Sequence, residues 1–158
     1  TILDFKIGKV TCYNEEDEWT LTKFQNKTKL INNSIKAKSL NNAQYFHPNT
    51  NEDLKVLTHQ DIQRIIRDCV PTKYYATIRD SLCKLYDFVE SLSKEWCFIG
   101  TSALIAFDKD TVKVKFIDFG KTRKWTDDNC KLRVTKEEMN LGLLEGIGNL
   151  TDLFKKTS

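Results

Sequence analysis

Residues 2–8 alternate: Leu3, Phe5 and Ile7 are apolar, while Asp4, Lys6 and Gly8 lie between them. A period of two predicts a strand that buries one face and turns a carboxylate and an ammonium to the other. Two residues of extended chain separate Asp4 from Lys6 by about 7 Å. Gly8 continues their face and leaves room for a ligand to approach. The next stretch, from about Thr20 to Ile35, is read as helical. Leu21, Phe24, Lys27 and Thr28 make no clean apolar stripe, and Phe24, Leu30, Ile31 and Ile35 supply its anchoring. Residues 47–57 read as a loop. Thr58 with Asp61 makes a capping start, after which Ile62, Ile65, Ile66, Cys69 and Val70 recur at helical spacing until Pro71 stops the helix. A longer helix follows from about Lys73 to Ser93, with Ile78, Leu82, Leu85, Tyr86, Val89 and Leu92 on one side. These stripes are core.

From Trp96 to Phe107 the chain is apolar and β-prone, interrupted at Gly100-Thr101-Ser102. Asp108-Lys109-Asp110-Thr111 reads as a turn. Val112, Val114 and Phe116 then alternate with Lys113 and Lys115, which predicts a hairpin ending at Asp118. The last helix opens on a capping box, Thr135 with Glu138, and carries Met139, Leu143, Ile147, Leu150 and Phe154 at 3-4 spacing. Gly142 and Gly146 sit one turn apart, so a neighbouring backbone can come close. Trp19, Trp96 and Trp125 read as packing anchors. At 158 residues the chain fits one domain, or one lobe of a larger one.

Net charge is only +3, and its distribution says more than the total. Between Trp19 and Asn51 there are five lysines (Lys23, Lys27, Lys29, Lys36 and Lys38) and no acidic residue. Such a run is either a solvated helix face or a site for a polyanion. Nucleic acid is disfavoured, because stacking needs interleaved aromatics and only Phe24, Tyr45 and Phe46 are near. The five cysteines are an odd number, widely spread and without a C-x-x-C. They read as free thiols in a reducing compartment, with no zinc site. No apolar run approaches the ~18 residues of a membrane span, and no secretory signal is present. Cytosol or nucleus is the expected location.

Ile117-Asp118-Phe119-Gly120 places a carboxylate at the end of an apolar strand. There it either caps the following turn or holds magnesium against nucleotide phosphates. The Asp-Phe-Gly triplet resembles protein kinases, but the H-R-D-x-x-x-x-N loop and the A-P-E of that family are both missing.

Taken together the motifs resemble the inositol polyphosphate kinases. That family carries P-x-x-x-D-x-K-x-G, a lysine-bearing insert, an S-S-L-L strand, I-D-F and a glycine-containing last helix. Here Asp4-x-Lys6-x-Gly8 matches the first motif, and its proline would fall immediately before Thr1. Thr101-Ser102-Ala103-Leu104 looks like the S-S-L-L element, Ile117-Asp118-Phe119 matches I-D-F, and Leu141-Gly142-Leu143 with Asn149-Leu150 resembles the closing helix. The resemblance spans nearly the whole chain. It implies an α+β fold, an antiparallel sheet with packed helices, like the C-terminal lobe of this protein-kinase- and ATP-grasp-like family. A nucleotide lobe, with the adenine-binding residues, is then expected before residue 1.

The resemblance also implies roles. Asp4 acts on the accepting oxygen as base or orienter, and Asp4 and Asp118 face the nucleotide. Lys6 contacts substrate phosphate or the transferring group. Asp118 holds magnesium against the β and γ phosphates of ATP. Gly8 borders the substrate, and Ser102 contacts substrate or orders the active-site strand. Lys23 and Lys27 grip inositol phosphates, being four apart on one helix face, with Lys29 and Lys36 as the competing pair. Where many relatives have a histidine three residues after the I-D-F aspartate, this chain has Lys121, which supplies charge to a phosphate without acid–base tuning near neutral pH.

The expected protein is a monomeric, ATP- and magnesium-dependent kinase acting on an inositol polyphosphate, with no membrane partner. The compact insert between Gly8 and Gln44 resembles the hexakisphosphate kinases and multikinases more than the trisphosphate 3-kinases, and inositol hexakisphosphate is the favoured acceptor, giving a pyrophosphate. A multikinase acting on lower phosphates is the alternative, and a non-catalytic inositol phosphate or RNA binding module is the alternative of another class.

Overall fold

The computed structural model describes residues 1–8, 13, 35–39, 59–132 and 135–155. Its main sheet is built outward from the first alternating segment. Strand β1 (Ile2–Ile7) buries Leu3, Phe5 and Ile7 on one face, as the period of two predicts. It pairs antiparallel with β2 (Ile35–Ser39) on one side and with β4 (Ser102–Phe107) on the other. Strand β4 in turn pairs with β5 (Val112–Ile117), so the order is β2-β1-β4-β5. The β4–β5 hairpin closes where the Asp108 carboxylate accepts hydrogen bonds from the backbone N–H groups of Asp110 at 2.7 Å and Thr111 at 2.8 Å. Those bonds hold the Asp108 carboxyl below the usual aspartate range.

Strand β2 departs from the sequence reading. The helix expected over 20–35 lies outside the described residues except at its end, and there Ile35 opens a strand. The segment Ile35-Lys36-Ala37-Lys38-Ser39 has little apolar content, so nothing local favours extension. Pairing with β1 supplies the hydrogen bonds, and lysines are ordinary on a sheet edge.

The helices cover one face of this sheet. They are α1 (His59–Cys69), α2 (Tyr75–Leu92) and α3 (Lys136–Leu153), with a short 3₁₀ turn over Thr72–Tyr74 that Pro71 precedes. Ile62, Ile66, Ile78, Leu82, Val89, Leu143, Ile147, Leu150 and Phe154 pack into one core with Leu3, Phe5, Ile7, Ala103 and Ile105 of the strands. Gly142 and Gly146 are buried on α3, the helix that packs along α2. Among the described residues no helix is long and apolar enough to cross a membrane.

The capping box is present as predicted. Glu138 N donates to Thr135 Oγ1 at 3.1 Å, and Thr135 N donates to Glu138 Oε2 at 3.1 Å. Thr135→Ala removes one acceptor from the start of an 18-residue helix. It is expected to lower stability by about 1 kcal/mol in urea unfolding, and Thr135→Ser is expected to restore it.

A second, smaller cluster joins Tyr13, Cys97, Ile99 and Met139, with Trp125, Cys130 and Leu132 against it. It sits on the two-stranded ribbon β3 (Trp96–Cys97) and β6 (Arg123–Lys124). The Arg123 guanidinium lies 3.7 Å from the Tyr13 ring centroid. Burial, reinforced by its neighbour Cys130, pushes the Cys97 thiol up to about 12, and burial raises the Tyr13 phenol as well. Among the described residues Cys69, Cys83, Cys97 and Cys130 form no disulfide. Trp125 anchors this cluster by donating Nε1–H to the Ser93 carbonyl at 2.8 Å. Trp19 and Cys12 lie outside the described residues.

Candidate active site

The face of the sheet away from the helices carries the charged residues of β1. In an antiparallel pair, directly opposed residues share a face. Lys6 stands opposite Ser102, and Ser102 opposite Ile117, so the chain arriving at Asp118 emerges beside Lys6. There Lys6 Nζ donates to Asp118 Oδ2 at 3.0 Å. It donates as well to the carbonyl of Gly100. The buried Ser102 hydroxyl lies 3.5 Å from the same Oδ2, the long end of a hydrogen bond. Among the described residues no protein donor reaches Oδ1, and the Asp118 side chain keeps 51% of its surface exposed.

Stability does not explain this arrangement. An ion pair this open to solvent contributes about 0–1 kcal/mol. Asp118 also adopts φ +69°, the left-handed region that costs an L-residue about 1–2 kcal/mol, least for Asp and Asn. A strained, charged residue at the mouth of a sheet is what a functional site leaves behind. The turn after it is pinned from several directions. Phe119 meets Phe116 edge-on at 5.0 Å between centroids and Phe98 at 6.3 Å. Thr122 N donates to the Phe119 carbonyl at 2.9 Å. The Tyr13 hydroxyl donates to the Lys121 carbonyl. Lys121 is thus half-buried in the turn directly after Asp118.

Asp4 lies two residues before Lys6 on the same strand face, at a register position opposite Leu104. Among the described residues its Oδ1 is shut off from solvent and has no hydrogen-bond partner. A buried carboxylate oxygen without a donor costs roughly 1–3 kcal/mol or more. The site therefore holds an unmet demand for a proton donor or a cation. Two carboxylates flank one ammonium, a set suited to positioning and neutralising phosphate rather than to covalent catalysis. Among the described residues no group of three or more His, Cys, Asp or Glu side chains could enclose a metal ion. Magnesium does not need such a cage, since it is commonly held by one or two carboxylates plus substrate phosphates and water. Asp118, with its free Oδ1, fits that requirement, and Asp4 is the second carboxylate on the face.

Gly8 follows the last residue of β1. A Cβ built there would make only an ordinary contact, 3.8 Å from Leu143 Cδ1 on the helix side. The position also has φ of +96°, where the chain leaves β1, a conformation that favours glycine. Lys23, Lys27 and Lys29 lie outside the described residues. Lys36 and Lys38 lie on β2, at register positions opposite Lys6 and Asp4 respectively. Pattern reading missed the Gly100 carbonyl altogether. The one available signal was a glycine immediately before the Thr101-Ser102 strand start.

A family model described as inositol polyphosphate kinase matches residues 1–155 of this chain. Among solved structures, an inositol phosphate multikinase superposes with a TM-score of 0.69 at 14% identity, over 97% of this chain and 77% of that one. The S. cerevisiae inositol phosphate multikinase Ipk2, in complex with ADP and Mn2+, superposes with a TM-score of 0.66 at 15% identity, over 97% of this chain and 76% of that one. At these identities the likeness establishes the α+β fold. No curated protein sequence matches the chain.

Proposed function

The chain belongs to the inositol polyphosphate kinase family, and on that premise we propose that it transfers the γ-phosphoryl group of ATP to inositol hexakisphosphate. The observation that carries the reading is the 3.0 Å approach of Lys6 to Asp118, two residues 112 positions apart in the chain. Phosphoryl transfer demands little covalent chemistry and much placement of charge, and this face concentrates charge where the strands end. Asp4 takes or orients the proton of the accepting oxygen. Lys6 neutralises the phosphoryl oxygens. Asp118 holds the divalent cation, whose contribution is to offset charge on the β and γ phosphates. Ser102 steadies Asp118 from behind. Lys121, in the adjoining turn, adds positive charge for a phosphate of either substrate. The lysine-rich segment that ends in β2 supplies further cations for the ring phosphates, Lys23, Lys27 and Lys29 among them.

A second reading, an inositol polyphosphate multikinase acting on lower phosphates, is favoured by the multikinase structures that superpose on the chain. One experiment separates the two. The full-length protein, with any segment that precedes residue 1, is incubated with ATP, magnesium and, in turn, inositol tris-, tetrakis-, pentakis- and hexakisphosphate, and products are resolved by anion-exchange chromatography. Conversion of the hexakisphosphate to a more highly charged product supports the first reading. Turnover of the lower phosphates alone supports the second. Failure to phosphorylate any of them overturns both.

A further inference from the structure

Lys6 has two acceptors of different kinds. The Asp118 carboxylate opposes its charge, whereas the Gly100 carbonyl holds the ammonium without neutralising it. An ammonium held only by Asp118 would follow that carboxylate wherever cation and phosphate drew it. The neutral acceptor gives it a fixed anchor in the backbone. Gly100 is set for this by its conformation. Its φ is +68°, and among the described residues, chain neighbours aside, no atom lies within 4 Å of where a Cβ would stand. Space is therefore not the reason for glycine here, and the backbone angle is. The residue lies where the chain leaves the buried Ile99 and enters β4. One position later the Thr101 carbonyl accepts from Ile7 N at 3.0 Å, which ties this corner to the end of β1.

We propose that Gly100 is a positioning residue for phosphoryl transfer: its left-handed backbone aims its carbonyl at Lys6 and fixes the ammonium, leaving Asp118 available to the cation. The inference rests on the role assigned to Lys6 above. An L-residue at Gly100 relaxes toward negative φ and swings the carbonyl away. Asn, which enters the left-handed region more readily, keeps it in place.

The test is a double-mutant cycle read by steady-state and single-turnover kinetics, below the melting transition of every variant. Gly100→Ala is expected to lower kcat about tenfold with KM for ATP and inositol phosphate unchanged, and Gly100→Asn to stay within about threefold of the parent. In a Lys6→Met background the further change Gly100→Ala is expected to cost nothing, because the carbonyl has no ammonium left to hold. Three results overturn the inference: an unchanged kcat in Gly100→Ala, the same tenfold loss with or without Lys6, or a tenfold loss in a normally melting Gly100→Asn variant. Full activity in Lys6→Met alone instead removes the role given to Lys6, so the two failures are distinguishable.

Discussion

Asp118→Asn is expected to lower the rate of ATP-dependent phosphorylation by about 10³-fold or more while leaving the melting temperature nearly unchanged. The substitution isolates charge. Asn has the shape of Asp, and its side-chain oxygen can still accept from Lys6 and Ser102, the two groups that now meet Oδ2. It is also among the few residues that tolerate φ near the +69° found here. What disappears is the negative charge at an exposed oxygen, which a divalent cation needs. Asp118→Ala is a poorer test, since it adds backbone strain to the loss of the carboxylate. The checks are a coupled ATP assay, a thermal melt, and Mn2+ titration followed by electron paramagnetic resonance. Retained turnover or undiminished Mn2+ binding in the Asn variant would remove Asp118 from the metal role.

Asp4→Asn should separate activity from stability in the other direction. As the group that receives or orients the acceptor's proton, Asp4 is expected to contribute about 10²–10⁴-fold to kcat. Among the described residues its Oδ1 makes no hydrogen bond that would support the fold, since it is buried without a donor. Exchanging an acceptor-only carboxylate for a neutral amide relieves part of that unmet demand. The variant should therefore unfold at an equal or higher urea concentration than the parent while turning over far more slowly. An active variant would show that Asp4 is not the proton acceptor. A sharp fall in the unfolding midpoint would recast it as a structural residue.

Local patterns account for much of the architecture. The alternation of Leu3, Phe5 and Ile7 and that of Val112, Val114 and Phe116 specify strands without reference to the rest of the chain, because a two-residue period permits one apolar face. Capping chemistry likewise locates the start of α3 at Thr135, and Pro71 ends α1. The candidate site was partly readable for the same reason: Asp4 and Lys6 share a strand face, and Asp118 follows an alternating segment. Strand β2 was not readable. Its lysines carry no periodic apolar signal, and it becomes a strand only because β1 offers it an open edge.

Sequence alone thus determined the element types of β1, the β4–β5 hairpin and the three helices, the paired positions of Asp4 and Lys6 on one face, and the motif order that marks the family. Tertiary structure decided that Lys6 meets Asp118 and the Gly100 carbonyl, from 112 and 94 residues away. It also decided that Gly8 takes a left-handed backbone angle. The division has a physical origin. Periodicity and capping depend on neighbours within a turn or two of the chain. Register, left-handed corners and the direction of a carbonyl are set by which distant strands pair, and that follows from burying the whole apolar face at once.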